Sequence, residues 1–214
     1  MGIFAHDGKL AQLLTTLGNL MVLNILTLLC SVPVITIGPA TAALFTSTLR
    51  IVRGEEDSLI SQYFASFRAN FKQASILWCL AGSCLAFMAF DIYLLSFLEG
   101  PFGQVYRIVL FVLIILFALV SLYGFALMAR FDNTLKNTLK NAWILSLGKP
   151  LPAVLILVLM FLPLGLLAIS YRFISVLFLL GISGPAYLSS IYFTSLFQKF
   201  ENQPANWQIT EVWC

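Results

Sequence analysis

Ser31–Arg53, SVPVITIGPATAALFTSTLRIVR, decides how the chain is read. It closes a long apolar run, breaks at Gly38-Pro39, and restarts as a helix-compatible stretch that ends in Arg50 and Arg53. Proline suits the first helical position, where its missing N–H costs nothing, and a preceding glycine lets the chain turn. A short helix is therefore predicted over 39–53, about 15 residues or roughly 22 Å at helical rise. Its small and hydroxyl side chains, among them Ala40, Thr41, Ala42 and Ala43, permit close approach of helices in lipid. Gly184-Pro185-Ala186 repeats the break and again leads to a charged end, Lys199 and Glu201.

Outward from this stretch the chain is apolar almost throughout. With 60% hydrophobic and 10% charged residues in 214, it falls outside the composition of soluble globular domains. The expected fold is all-α: one transmembrane helix bundle over 1–214, with segments near 10–33, 39–53, 74–97, 105–129, 151–170 and 173–199. That makes five full spans plus the short helix after the Gly-Pro break. The net charge of +3 comes from residues at segment ends and forms no basic patch or arm, so nucleic acid is not an expected partner. Cys30, Cys79, Cys84 and Cys214 have neither metal spacing nor a disulfide framework and read as small apolar side chains. Leu28-Leu29 before Cys30 is too bulky for a signal-cleavage site, so the first run is expected to be retained.

Two amphipathic elbows are predicted on the charged side. In YFASFRANFKQA, residues Phe64, Phe67, Phe71 and Ala74 recur at 3,4,3 spacing around Arg68 and Lys72, as for a helix lying in the membrane surface. A second copy, 68 positions on, pairs Leu135–Leu145 with Phe67–Leu77 at four identities in 11 residues. Trp78 and Trp143 then stand near the starts of the spans or elbows they belong to, and Trp207 and Trp213 suit an interfacial tail. If the Pro39 helix recrosses the membrane, ten lysines and arginines lie on one side and only Arg107 and Arg172 on the other. The ten mark the cytoplasmic face, with both termini there. If residues 39–53 lie in the surface instead, only Lys9 changes sides; the recurrence of Gly-Pro-Ala inside a spanning run favours six crossings over five.

At this point the residues resemble a known family. Asn19–Leu44, Arg53-Gly54-Glu55-Glu56, Phe64–Ala74 and Asn137-Thr138-Leu139-Lys140-Asn141-Ala142 are similar to the YesL-type bacterial integral membrane proteins, a domain of unknown function. The resemblance implies a multi-pass protein of the bacterial cell membrane linked to carbohydrate uptake; the partners expected are a sugar-importer permease, or a membrane sensor if the chain does not itself transport. It carries no catalytic or binding residues across.

The residues themselves offer little to an enzyme. His6 is the single histidine, and the sequence has no HExxH, GxSxG or Walker A pattern, so neither catalysis nor a cofactor is expected. Asp91 is the one acid within a predicted span, where an ion pair with Arg107 or Arg172 is the expected relief for a buried charge. Asn19 and Asn24, five apart, point about 140° apart around the first helix, so at least one faces other helices. A ligand site, if present, would use the two broken helices, because N–H groups orphaned inside lipid need a partner. The candidates are Asn24, Gly38, Pro39, Thr41, Asp91, Gly184, Pro185 and Ser189. A polar cavity lined by them would mark a transport component or accessory subunit; a closed bundle would mark a non-transporting interaction or sensor-partner protein.

Overall fold

The computed structural model describes residues 9–55, 58–95, 100–131, 133–169 and 174–201, so His6, Arg172 and the tryptophans of the tail lie outside the described residues. The described chain is all-helical: α1 (Lys9–Cys30), a 3₁₀ turn (Val34–Thr36), α2 (Ile37–Val52), α3 (Leu59–Leu95), α4 (Pro101–Arg130), α5 (Leu135–Gly148), α6 (Pro150–Ile169), α7 (Ile174–Leu180) and α8 (Ser183–Glu201). Five helices are long and apolar enough to cross a membrane, and the bent pair α5–α6 makes a sixth. The architecture is that of a polytopic membrane bundle.

The short helix lies at its centre. α2 begins at Ile37, two residues before the expected Pro39, because the Val34–Thr36 turn feeds directly into it. The Thr36 hydroxyl holds that turn by donating to the carbonyls of Cys30 and Pro33, each at 2.6 Å. Gly38 and Pro39 therefore occupy the second and third helical positions, as Gly184 and Pro185 do in α8. Gly38 has a packing reason to be glycine. A Cβ there would overlap the Ala74 carbonyl and lie 2.7 Å from Trp78 Cβ, so α2 and α3 touch backbone to backbone.

One expectation is corrected by α3, and α5 keeps the other. The first elbow is not a separate surface helix: α3 runs unbroken for 37 residues, about 55 Å at helical rise. Neither Gly nor Pro interrupts Leu59–Ala81, so nothing bends the helix where the amphipathic segment meets the span. The second copy does bend, by 103° between α5 and α6, at Gly148-Lys149-Pro150. Tyr123 Oη fixes that corner by donating to the Lys149 carbonyl at 3.3 Å. The last segment is interrupted as expected, but the division into α7 and α8 falls at Gly181-Ile182, just ahead of the expected Gly184-Pro185.

Along its length the bundle has two layers. Ser75 Oγ donates to the Ile35 carbonyl, so α2 starts level with the middle of α3. Beyond that level α3 and α4 continue as a hairpin, and their surfaces there are apolar, with Phe87, Phe90 and Phe111 exposed and Phe102 91% exposed. Residues 79–95 alone span roughly 25 Å, close to a hydrocarbon core of about 30 Å. The other layer holds α2, α5, α8 and the ends of α3 and α4. Its core is aromatic: Phe193 meets Phe45 and Tyr123 edge-on at 5.9 and 5.7 Å and stacks on Phe197 at 5.7 Å. Such pairs contribute about 0.5–1.5 kcal/mol each beyond area burial.

Candidate functional site

The break between α7 and α8 leaves the Ile182 and Ser183 amides and the Phe178 carbonyl without intrahelical partners, and Asn24 of α1 takes up all three and also reaches the Leu177 carbonyl. Its Oδ1 accepts from the Ile182 and Ser183 N–H groups at 2.9 and 3.0 Å. Its Nδ2 donates to the carbonyls of Leu177 and Phe178 at 3.1 and 2.6 Å. One buried amide thus caps the end of α7 and the start of α8 together, and its donors are both spent.

The other predicted residues are distributed as follows. Gly184 and Pro185 follow directly on the break that Asn24 closes. Gly38 and Pro39 are buried against α3. Thr41 and Ser189 turn their hydroxyls back onto their own helices, donating to Ile37 and Pro185 carbonyls at 2.7 and 2.6 Å. α2 and α8 run side by side, tied by the buried Thr48–Ser190 hydroxyl pair at 2.7 Å and the Phe45–Phe193 contact. Leu49 and Arg53 of α2 meet Thr194 and Gln198 of α8 around one small crevice at the basic end, a constant offset of 145 residues close to the 146 between the two prolines, so the helices are parallel and level. Asp91 is remote from them, sixteen residues past Ser75 along α3, about 24 Å. The expected Asp91–Arg107 pair is not formed among the described residues; Arg107 Nε donates instead to the Gly103 carbonyl of its own helix. The alternative partner, Arg172, lies outside the described residues.

Sequence reading missed a polar cavity of about 660 Å³ at the basic end, between α2, α3 and the end of α4. Arg50, Arg53, Arg130 and Glu55 line it, with Gln62, Ser66 and Asn70 along one wall and Thr46 at the far side. Ser66 Oγ donates to Thr46 Oγ1 at 2.8 Å, Thr46 reaches the Ala129 carbonyl at 3.3 Å, and Asn70 Nδ2 donates to the Ser66 carbonyl at 3.2 Å. Arg53 is held by its own helix, Nε donating to the Leu49 carbonyl at 3.2 Å. Glu55 Oε2 stands 3.8 Å from Arg50 Nε and 3.4 Å from Arg53 Nη2. A signal was present in the sequence: Gln62, Ser66 and Asn70 recur every fourth residue, a polar stripe on one helix face.

The described fold is all-helical, with five or six segments long and apolar enough to cross a membrane. Residues 20–92 match the family profile described as "Protein of unknown function, DUF624". The chain is similar to "Uncharacterized protein YesL" of Bacillus subtilis (strain 168), 28% identical over 136 residues, which covers 63% of this chain and 63% of that protein. The match therefore spans less than two thirds of that relative's length. Both findings are likenesses to the YesL-type DUF624 proteins. No solved structure matches it.

Proposed function

We propose that the protein is a non-transporting membrane component, an accessory or sensor-partner subunit whose accessible chemistry lies at its basic end. The observation that carries this reading is Asn24: its four hydrogen bonds fill the α7–α8 break, where a transported solute would otherwise find free backbone groups. The basic end faces the cytoplasm in this proposal, because arginine and lysine gather on the cytoplasmic side of bacterial membrane proteins. The apolar hairpin of α3 and α4 lies in the bilayer. The partner class is a sugar-importer permease, in keeping with the link to carbohydrate uptake that the family resemblance implies, or a membrane sensor, and no catalytic role is proposed.

Transport is the second reading, and the level, parallel pair α2–α8 favours it. One experiment separates the two. Purified from native membranes in mild detergent, the chain should bring down a stoichiometric membrane partner, and reconstituted alone it should show no saturable solute counterflow. Counterflow by the chain alone, with no partner recovered, would establish the transport reading in its place.

A further inference from the structure

We infer that the cavity at the basic end binds a small phosphate ester carrying free hydroxyls, with the phosphate taking the place of the Glu55 carboxylate between Arg50 and Arg53. The inference rests on the reading above that this end is the accessible face.

Three features of the cavity select that chemistry. Among the described residues the lining includes the Glu55 carboxylate beside Arg50 and Arg53, so the site already holds an anion against two arginines. It holds that anion loosely. Charge-assisted N–H···O bonds run at about 2.7–2.9 Å, whereas Glu55 lies 3.4 and 3.8 Å from its two partners. Its side chain is 49% exposed, and pairs so placed contribute little to stability. A phosphate, with more acceptor oxygens and the geometry that arginine forks match, can displace it without breaking a strong interaction.

Behind the arginines the wall changes from charge to neutral polarity. Ser66, Asn70 and Gln62 present hydroxyl and amide groups, and the Asn70 side chain spends its amide donor on Ser66, which leaves its carbonyl oxygen to accept from a ligand hydroxyl. An inorganic anion alone would leave this wall unused. The volume of about 660 Å³ lies within the range of small-ligand sites, about 300–1,000 Å³. A glycerol phosphate unit fits both requirements, and it has two sources: a soluble phosphate ester or the headgroup of phosphatidylglycerol.

Binding of glycerol 3-phosphate to the full chain, purified in detergent with both faces open, tests the inference by calorimetry. Because both faces are open, a wrong assignment of sidedness or partner leaves this result unchanged, so failure here is distinct from failure of the reading above. Expected are saturable binding of glycerol 3-phosphate, binding of glycerol at least tenfold weaker, a tenfold or greater loss in Arg50→Gln, and tighter binding in Glu55→Gln, which removes the competing carboxylate. In nanodiscs, competition by phosphatidylglycerol but not phosphatidylcholine identifies the headgroup as the source, and equal binding in both lipids identifies the soluble ester. Should Arg50→Gln fail to fold, Glu55→Gln carries the test by its opposite sign. Equal affinity for glycerol, weaker binding in Glu55→Gln, or no response of folded protein to either glycerol 3-phosphate or phosphatidylglycerol overturns the inference.

Discussion

Replacing Asn24 by alanine removes a side chain that no residue near it in sequence can replace. The Leu177 carbonyl keeps the Gly181 N–H at 3.0 Å, but the Ile182 and Ser183 amides and the Phe178 carbonyl lose the partner that Asn24 gives them. Side-chain hydrogen bonds between membrane helices contribute about 0.6–1.7 kcal/mol each. Orphaned buried groups lie at or above that range, so three of them come to about 2–5 kcal/mol. Tryptophan fluorescence during SDS titration in mixed micelles, reported by Trp78 and Trp143, measures the loss. Amide exchange at Ile182 and Ser183 should accelerate in the same variant while that of mid-α4 residues stays unchanged. A loss under about 1 kcal/mol with unchanged exchange would mean that the break does not depend on this amide, and the case for a closed bundle would fall with it.

Two further outcomes follow from the packing. Gly38→Ala should destabilise by about 2–3 kcal/mol, at the upper part of the overpacking range, because the new methyl meets the Ala74 backbone and Trp78 Cβ rather than a flexible side-chain end. Gly82→Ala, with nothing within 4 Å of the added carbon, should be neutral or stabilising by up to about 1 kcal/mol, and unfolding titrations of the two variants side by side provide the check. Asp91→Asn and Arg107→Gln should be additive within about 0.3–0.5 kcal/mol in a double-mutant cycle, since the two side chains form no ion pair; a coupling above 1 kcal/mol would restore the pair.

What the sequence conveyed depended on how local each determinant is. The Gly-Pro breaks, the apolar runs and the polar stretch between α2 and α3 are patterns within a few residues of one another, and the helices follow them closely. The repeated elbow misled because its 11 matched residues encode a helix but not a bend; the bend lies in Gly148-Lys149-Pro150, beyond the repeat, and the first copy has no counterpart. Asn24 was legible as an amide facing other helices, yet its partners lie 153 to 159 residues away and no spacing rule reaches them. The basic cavity was missed for a similar reason. Arg50, Arg53 and Arg130 each mark a helix end, which fully accounts for a basic residue taken singly, and only the folded bundle brings them to one wall.

Thiol accessibility compares the two candidate regions in a single measurement. In a chain whose Cys30, Cys79, Cys84 and Cys214 are replaced by serine, single cysteines at Gln62 and Ala69 probe the basic cavity, and at Thr41 and Ser189 the paired helix breaks. A water-soluble maleimide reacts with thiolate, so labelling requires water as well as space. Inverted membrane vesicles should label positions 62 and 69 while intact cells do not, and positions 41 and 189 should stay unlabelled in both until the protein is denatured. Labelling at 41 or 189 in the folded protein would reveal a water-filled path between α2 and α8 and contradict a closed, non-transporting bundle.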